Sequence, residues 1–213
     1  MLSIKNISKR YANHVALNEL SIDIQPGQFC ALLGPNGAGK SSLLRCVANQ
    51  LSTGGNARDQ LNPEGCTGYL FAGELGLRAE LSVFDQAFYF SELFSATGQP
   101  LSERKVNIQH FLTRVGLLDW SDEKVGTLSS GQKVRLGLCG LLMSACQVWL
   151  LDEPTVSLDV ASVALFGAVL RGHLGQGGAA LIATHIDLGL PEARDLDLTP
   201  YKAVQPALDE VFG

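Results

Sequence analysis

Gly34-Pro35-Asn36-Gly37-Ala38-Gly39-Lys40-Ser41 decides the reading of this chain. The continuously apolar run Phe29 to Leu33, bounded by Pro26-Gly27 and Gly34-Pro35, comes just before it and reads as a fully buried strand. After it, Leu43, Leu44, Val47 and Leu51 are spaced to line one face of a helix over 40–50. The pattern G-x-x-x-x-G-K-[ST] between a strand and a helix is a phosphate cradle. Glycines let the backbone curl so that successive N–H groups face β- and γ-phosphate oxygens, and the helix N-terminus adds its dipole. Lys40 supplies a point charge and Ser41 a ligand for Mg²⁺. A bare glycine turn would show the same letters, but the flanking strand and helix distinguish the cradle from it. Gly34, Pro35, Asn36, Gly37, Ala38, Gly39, Lys40, Ser41 and Ser42 are the expected nucleotide contacts, with Mg²⁺ as a further ligand.

Val148-Trp149-Leu150-Leu151-Asp152-Glu153 supplies the other half of the site. An apolar strand ending in acids places carboxylates at the carboxyl edge of a parallel sheet, where ligands bind in such folds. Asp152 is the expected second metal residue, and Glu153 the general base that polarises the attacking water. Without the glycine loop upstream the same residues would read as a solvated acidic turn before Pro154.

Further from these two stretches, residues 2–7 and 20–24 alternate with period two, as half-exposed strands do, with Asn13-His14 between them as a turn. Residues 52–65 read as a loop or short edge hairpin, and 68–71 as a core strand. Ser82 followed by Asp85 starts a helix carrying Phe84, Phe88, Tyr89, Phe90 and Phe94, and a second helix follows from Ser102 to Gly116. The aromatic residues fit either a lobe core or a groove for a partner's helix. The alternation resumes with a helix from Gly131, the strand 148–151, a helix over 160–173 and a strand over 179–183. The predicted fold is α/β, a mainly parallel sheet with antiparallel edge strands and an inserted helical lobe. One domain spans 1–213, with its core at 1–74 and 131–213 and a helical subdomain at 75–130.

Leu128-Ser129-Ser130-Gly131-Gln132, between the glycine loop and the acidic strand, resembles the Leu-Ser-Gly-Gly-Gln signature of ABC ATPases, with Ser130 in place of one glycine. The resemblance covers almost the whole chain. It implies that Tyr11 stacks on adenine, that Ser157-Leu158-Asp159 crosses a dimer, and that His185 is the switch histidine. It further implies a head-to-tail dimer in which ATP lies between one glycine loop and Ser129, Gly131 and Gln132 of a second ATPase subunit. Hydrolysis at Glu153 and His185 then reopens the clamp.

The shortened run after His185, the stretch Gly76 to Val83, and the glycines from Gly175 to Gly178 are similar to the ATP-binding subunits of haem exporters in cytochrome c biogenesis. That likeness implies integral membrane partners and a peripheral place on the cytoplasmic or matrix face of an inner membrane. The ATPase subunit of another ABC transporter, or a soluble ABC ATPase without membrane partners, is the competing reading, whereas a P-loop kinase has no use for Ser129 to Gln132. Two positions depart from the family pattern. Tyr69 to Glu74 holds no glutamine to contact Mg²⁺ and water, which predicts slow hydrolysis, and Gly140 stands where an arginine is common.

Composition narrows the classes further. The chain has 213 residues, a formal charge of −5 and 46% hydrophobic residues, enough for a sizeable core. An acidic balance without a basic run gives no footprint for nucleic acid. The longest uncharged stretch, Leu136 to Leu151, is broken by glycines and polar residues and is shorter than the roughly 20 apolar residues of a membrane span. No export or transit signal is visible at the N-terminus. Five widely spaced cysteines without a C-x-x-C pair read as reduced thiols.

Overall fold

The structure is a computed structural model that describes residues 2–11, 14–48, 61–63, 67–71, 75–94, 100–156, 158–185, 188, 190 and 193–201. Two sheets organise it. A five-stranded parallel sheet has the order β5-β6-β7-β3-β8, from β3 (Phe29–Leu33), β5 (Thr67–Phe71), β6 (Val148–Asp152), β7 (Ala179–Ala183) and β8 (Ala193–Asp197). A three-stranded antiparallel sheet, β2-β1-β4, is formed by β1 (Leu2–Tyr11), β2 (His14–Ile24) and β4 (Leu61–Pro63).

Strand periodicity divides the core in two. Phe29 and Ala31 of β3, Trp149 and Leu151 of β6, and Ala180 and Ile182 of β7 face one hydrophobic cluster. Their neighbours Cys30, Leu32, Val148, Leu150, Ala179 and Leu181 face another, shared with β1, β2 and α1 (Lys40–Val47). Because both faces are covered, these strands are apolar throughout rather than alternating.

The lobe consists of α2 (Val83–Phe94) and α3 (Leu101–Arg114), followed by short 3-10 turns at Leu118–Trp120 and Val125–Thr127. Ser82 Oγ accepts from Asp85 N at 3.0 Å, the predicted start of α2. Both helices pack on α4 (Ser130–Ser144), which also lies against β5 through small residues. A Cβ at Gly137 would stand 2.5 Å from Leu70 Cδ1, and one at Gly140 3.1 Å from the Phe90 ring. The space an arginine would need at Gly140 is thus filled by an aromatic ring. Helix α5 (Val160–Gly175) completes the layer against β7.

The structure adds a strand, divides the aromatic residues of α2 between the two readings offered, and corrects the expectation that all five cysteines are reduced. Strand β8 was not foreseen, because its residues are charged and mostly exposed. It is an edge strand held by its parallel pairing with β3, and charge on an edge discourages unwanted pairing. The aromatic residues of α2 divide between roles, with Phe90 in the core and Phe94 half-exposed. Cys146 is disulfide-bonded, whereas Cys30, Cys46 and Cys139 are free and buried. The pairing Thr67↔Val148 brings distant chain alongside Cys146, a proximity that spacing in the sequence conceals. Burial pushes the Cys30 and Cys139 thiols up to about 12, which keeps them unreactive. Among the described residues, no helix is long and apolar enough to cross a membrane.

Candidate functional site

The loops after β3, β6 and β7 emerge at the same carboxyl edge of the parallel sheet, and β7 lies between the other two strands. This brings the glycine loop, Asp152-Glu153 and Thr184-His185 together from three distant parts of the sequence.

The loop from Gly34 to Gly39 is built on backbone that only glycine adopts at low cost. Gly34, Gly37 and Gly39 have φ of 132°, 75° and 99°. Gly39 is also pressed against β2, where a Cβ would lie 2.6 Å from the Ala16 carbonyl oxygen. Ala38 N donates to Pro35 O at 3.0 Å, and Leu43 N to Gly39 O at 2.8 Å, so the turn runs directly into α1. The Lys40 ammonium is buried and donates to Gly34 O at 2.7 Å and Pro35 O at 3.4 Å. It also stands 3.3 Å from His185 Nε2.

Asp152 ends β6 buried, and Glu153 follows at φ 52°, a left-handed conformation that non-glycine residues avoid. Glu153 N donates to Ala183 O at 2.8 Å, and Glu153 Oε1 lies 3.1 Å from His185 Nε2. Asp152 Oδ1 and Glu153 Oε2 are buried without a hydrogen-bond partner among the described residues. Buried carboxylate oxygens are costly unless something binds them. The two orphan oxygens, with Ser41 in the first turn of α1, therefore suit a hard cation that completes its shell with phosphate and water.

Other predicted residues form separate groups. Tyr11 Oη lies 3.1 Å from Ser42 Oγ, which ties β1 to the first turn of α1. Ser129 caps α4 in a reciprocal box: Gln132 N donates to Ser129 Oγ at 3.2 Å, and Ser129 N to Gln132 Oε1 at 2.8 Å. The side-chain oxygen of Gln132 is therefore engaged in shaping the signature turn, leaving Ser129 exposed beside Gly131. Asp159 caps α5 by accepting from Ser162 N at 2.7 Å, and hydrogen bonds from the Ser162 side chain and then its backbone hold the Asp159 carboxyl below the usual range. No hydrogen bond among the described residues joins Ser129, Gly131 or Asp159 to the glycine loop. Ser157 and the segment 72–74 lie outside the described residues.

One pair escaped sequence reading. Thr155 Oγ1 and Thr184 Oγ1, both buried, lie 3.3 Å apart and join the loop of Glu153 to that of His185. The available signal was a hydroxyl residue just beyond the end of each of two buried strands.

A model of the ABC transporter family matches residues 17–156. The cytochrome c biogenesis ATP-binding export protein CcmA of Cereibacter sphaeroides is 42% identical over 207 residues, covering 97% of this chain and 92% of that protein. The protein of the same name from Paracoccus denitrificans is 40% identical over 221 residues, covering 100% and 99%. Among solved structures, a dimeric ATP-binding cassette in a post-hydrolysis state with ADP and phosphate matches with a TM-score of 0.78 at 20% identity, over 93% of this chain and 95% of that one. The chain belongs to the ABC transporter ATPase family and is a CcmA-like member of it.

Proposed function

We propose that this ATPase drives a membrane complex of cytochrome c maturation, in which ATP turnover delivers or releases haem beyond the membrane. The observation that carries the catalytic reading is the junction of Lys40, His185 and Glu153, with orphan carboxylate oxygens on Asp152 and Glu153. Ser41 and Asp152 would hold Mg²⁺, which supplies charge neutralisation on the phosphates. Gly34 to Ser42 cradle the triphosphate, and Tyr11 lies beside that loop to receive the adenine. Water attacks the γ-phosphorus while Glu153 takes its proton, the β–γ bridging oxygen leaves with ADP, and His185 orients Glu153 and the transferred phosphoryl group.

The active unit is a head-to-tail dimer. The N-terminus of α4, with exposed Ser129 held by Gln132 and half-buried Gly131 beside it, faces the triphosphate bound by the second copy, and Asp159 sits at the junction. A helix N-terminus is suited to anions, so each nucleotide lies between two such ends.

Residues 75–130 act as the lobe that meets the membrane partners. An apolar groove of about 340 Å³ runs between the lobe and the core, lined by Tyr69, Leu75, Tyr89, Leu93, Phe94 and Gly137. Tyr69, Leu93 and Phe94 are 49%, 57% and 46% exposed, a concentration of apolar surface suited to an amphipathic helix from a membrane subunit. The chain thereby sits peripherally on the cytoplasmic face. The relatives named CcmA support the assignment to cytochrome c biogenesis. Purification of the tagged full chain from native membranes tests it: integral membrane subunits should co-purify, and deletion should abolish covalent haem attachment to c-type cytochromes. Normal cytochrome c maturation in the deletion strain would overturn the reading.

A further inference from the structure

A second cavity, of about 360 Å³, opens at the opposite edge of the parallel sheet from the glycine loop. It lies between the last turns of α3, α4 and α5 and the residues that enter β6. Its volume falls in the range of small-ligand pockets, roughly 300–1,000 Å³. The chain carries a formal charge of −5, yet among the described residues no Asp or Glu lines this cavity, whereas Arg114 and His110 do, one turn apart on α3. Arg114 is half-buried and makes no hydrogen bond or ion pair among the described residues. A guanidinium partly withdrawn from water without an anionic partner is an unusual expense for a protein.

The remaining walls supply donors and a flat surface. Gln147 and Gln176 line the cavity with side-chain amides, and both are exposed. Trp149 also lines it, almost wholly buried, and its Nε1–H has no acceptor among the described residues. His173 stacks on Trp149 with ring centroids 3.8 Å apart and planes at 7°, and Nε2–H of His173 donates to Ala179 O at 3.3 Å. Burial pushes the His173 pKa down, so this ring is a neutral wall rather than a second cation. The helix C-termini nearby carry only partial negative charge spread over a turn, and a direct fork-shaped contact to a full guanidinium charge outweighs them.

We propose that this cavity binds a small organic anion, a carboxylate or phosphate ester, held by Arg114 and His110 with its apolar or flat body against Trp149 and His173. The site is separate from the nucleotide site, yet β6 leads from Trp149 at the cavity to Asp152 at the catalytic edge, so occupancy is placed to influence turnover.

The chain contains two tryptophans, and a full-length Trp120→Phe variant leaves Trp149 as the sole indole reporter. Benzoate, citrate and inorganic phosphate are titrated at constant ionic strength with the nucleotide site saturated by ADP. The expected result is a saturable change in Trp149 fluorescence for at least one of them, weakened at least tenfold by Arg114→Gln and by His110→Gln. Benzoate or citrate acting alone identifies a carboxylate ligand, and phosphate acting alone a phosphate ester. If Arg114→Gln fails to fold, Arg114→Lys keeps the charge without the fork and should still bind more weakly. Equal responses in the parent and in folded variants would overturn the proposal, as would a response matched by chloride. Saturation by a poly-glutamate peptide but by no small anion would overturn it in favour of an acidic protein partner.

Discussion

His185 Nε2 stands 3.1 Å from Glu153 Oε1 and is at the same time 3.3 Å from Lys40 Nζ. An ammonium only donates and an ionised carboxylate only accepts, so one ring nitrogen cannot serve both. With the proton on Nε2, His185 donates to Glu153 and Lys40 keeps the carbonyls of Gly34 and Pro35. Phosphate oxygens bound in the glycine loop, as proposed, would give Lys40 a stronger, charge-assisted partner and leave the histidine to the carboxylate.

Lys40→Ala should therefore weaken ATP binding, read by equilibrium dialysis. Glu153→Gln should bind ATP normally, hydrolyse it about 10²–10⁴-fold more slowly, and accumulate as an ATP-bound dimer in size-exclusion chromatography. Normal turnover in Glu153→Gln would remove this residue from proton transfer.

The glycine loop offers a graded test of backbone against contact. Gly37 and Gly39 both have positive φ, but only Gly39 abuts another element: a Cβ there would meet Ala16 O at 2.6 Å, whereas one at Gly37 would meet nothing within 4 Å. Gly37→Ala should cost about 1–2 kcal/mol of stability from the left-handed conformation alone. Gly39→Ala should cost more and also displace the start of α1, so chemical denaturation and nucleotide affinity should both fall further than in Gly37→Ala.

Acid stability should depend on His173. Burial lowers its folded pKa below the ordinary 6.5, so the unfolded chain takes up the proton first as pH falls. This contribution to stability is complete above about pH 6.5 and is lost progressively below it. Denaturation midpoints between pH 7.5 and 5 should decline less steeply in His173→Gln than in the parent; identical slopes would show that the ring does not resist protonation.

Within α2, neighbouring aromatic positions should behave differently. Phe90→Ala removes a ring packed over Gly140 and should destabilise the chain by about 3–5 kcal/mol. Leu93→Ser and Phe94→Ser, on the groove, should leave the unfolding midpoint nearly unchanged and reduce co-purification of membrane subunits. Loss of folding in the latter pair would make the groove wall part of the core.

Residues whose meaning is local were the legible ones. Gly34 to Ser41 and Val148 to Glu153 carry their geometry in their own spacing, and Leu128 to Gln132 is a contiguous stretch whose likeness to the ABC signature needs no distant partner, although its helix cap did not show until the fold was seen. What the sequence hid depends on which distant segments the sheet order sets side by side. Thr155 and Thr184 meet because β6 and β7 are neighbours, and β8 exists because its charged residues pair with β3 rather than with anything nearby in the chain. The guanidinium of Arg114 looks from the sequence like an ordinary basic residue closing a helix; only the fold shows that no carboxylate among the described residues pairs with it.

The left-handed backbone at Glu153 sets a limit on how this enzyme can change. Glycine would relax that position, so the simplest replacement that eases the fold also deletes the carboxylate proposed as the proton acceptor. If Glu153 is the base proposed above, selection for robustness and selection for turnover pull in opposite directions at this one residue.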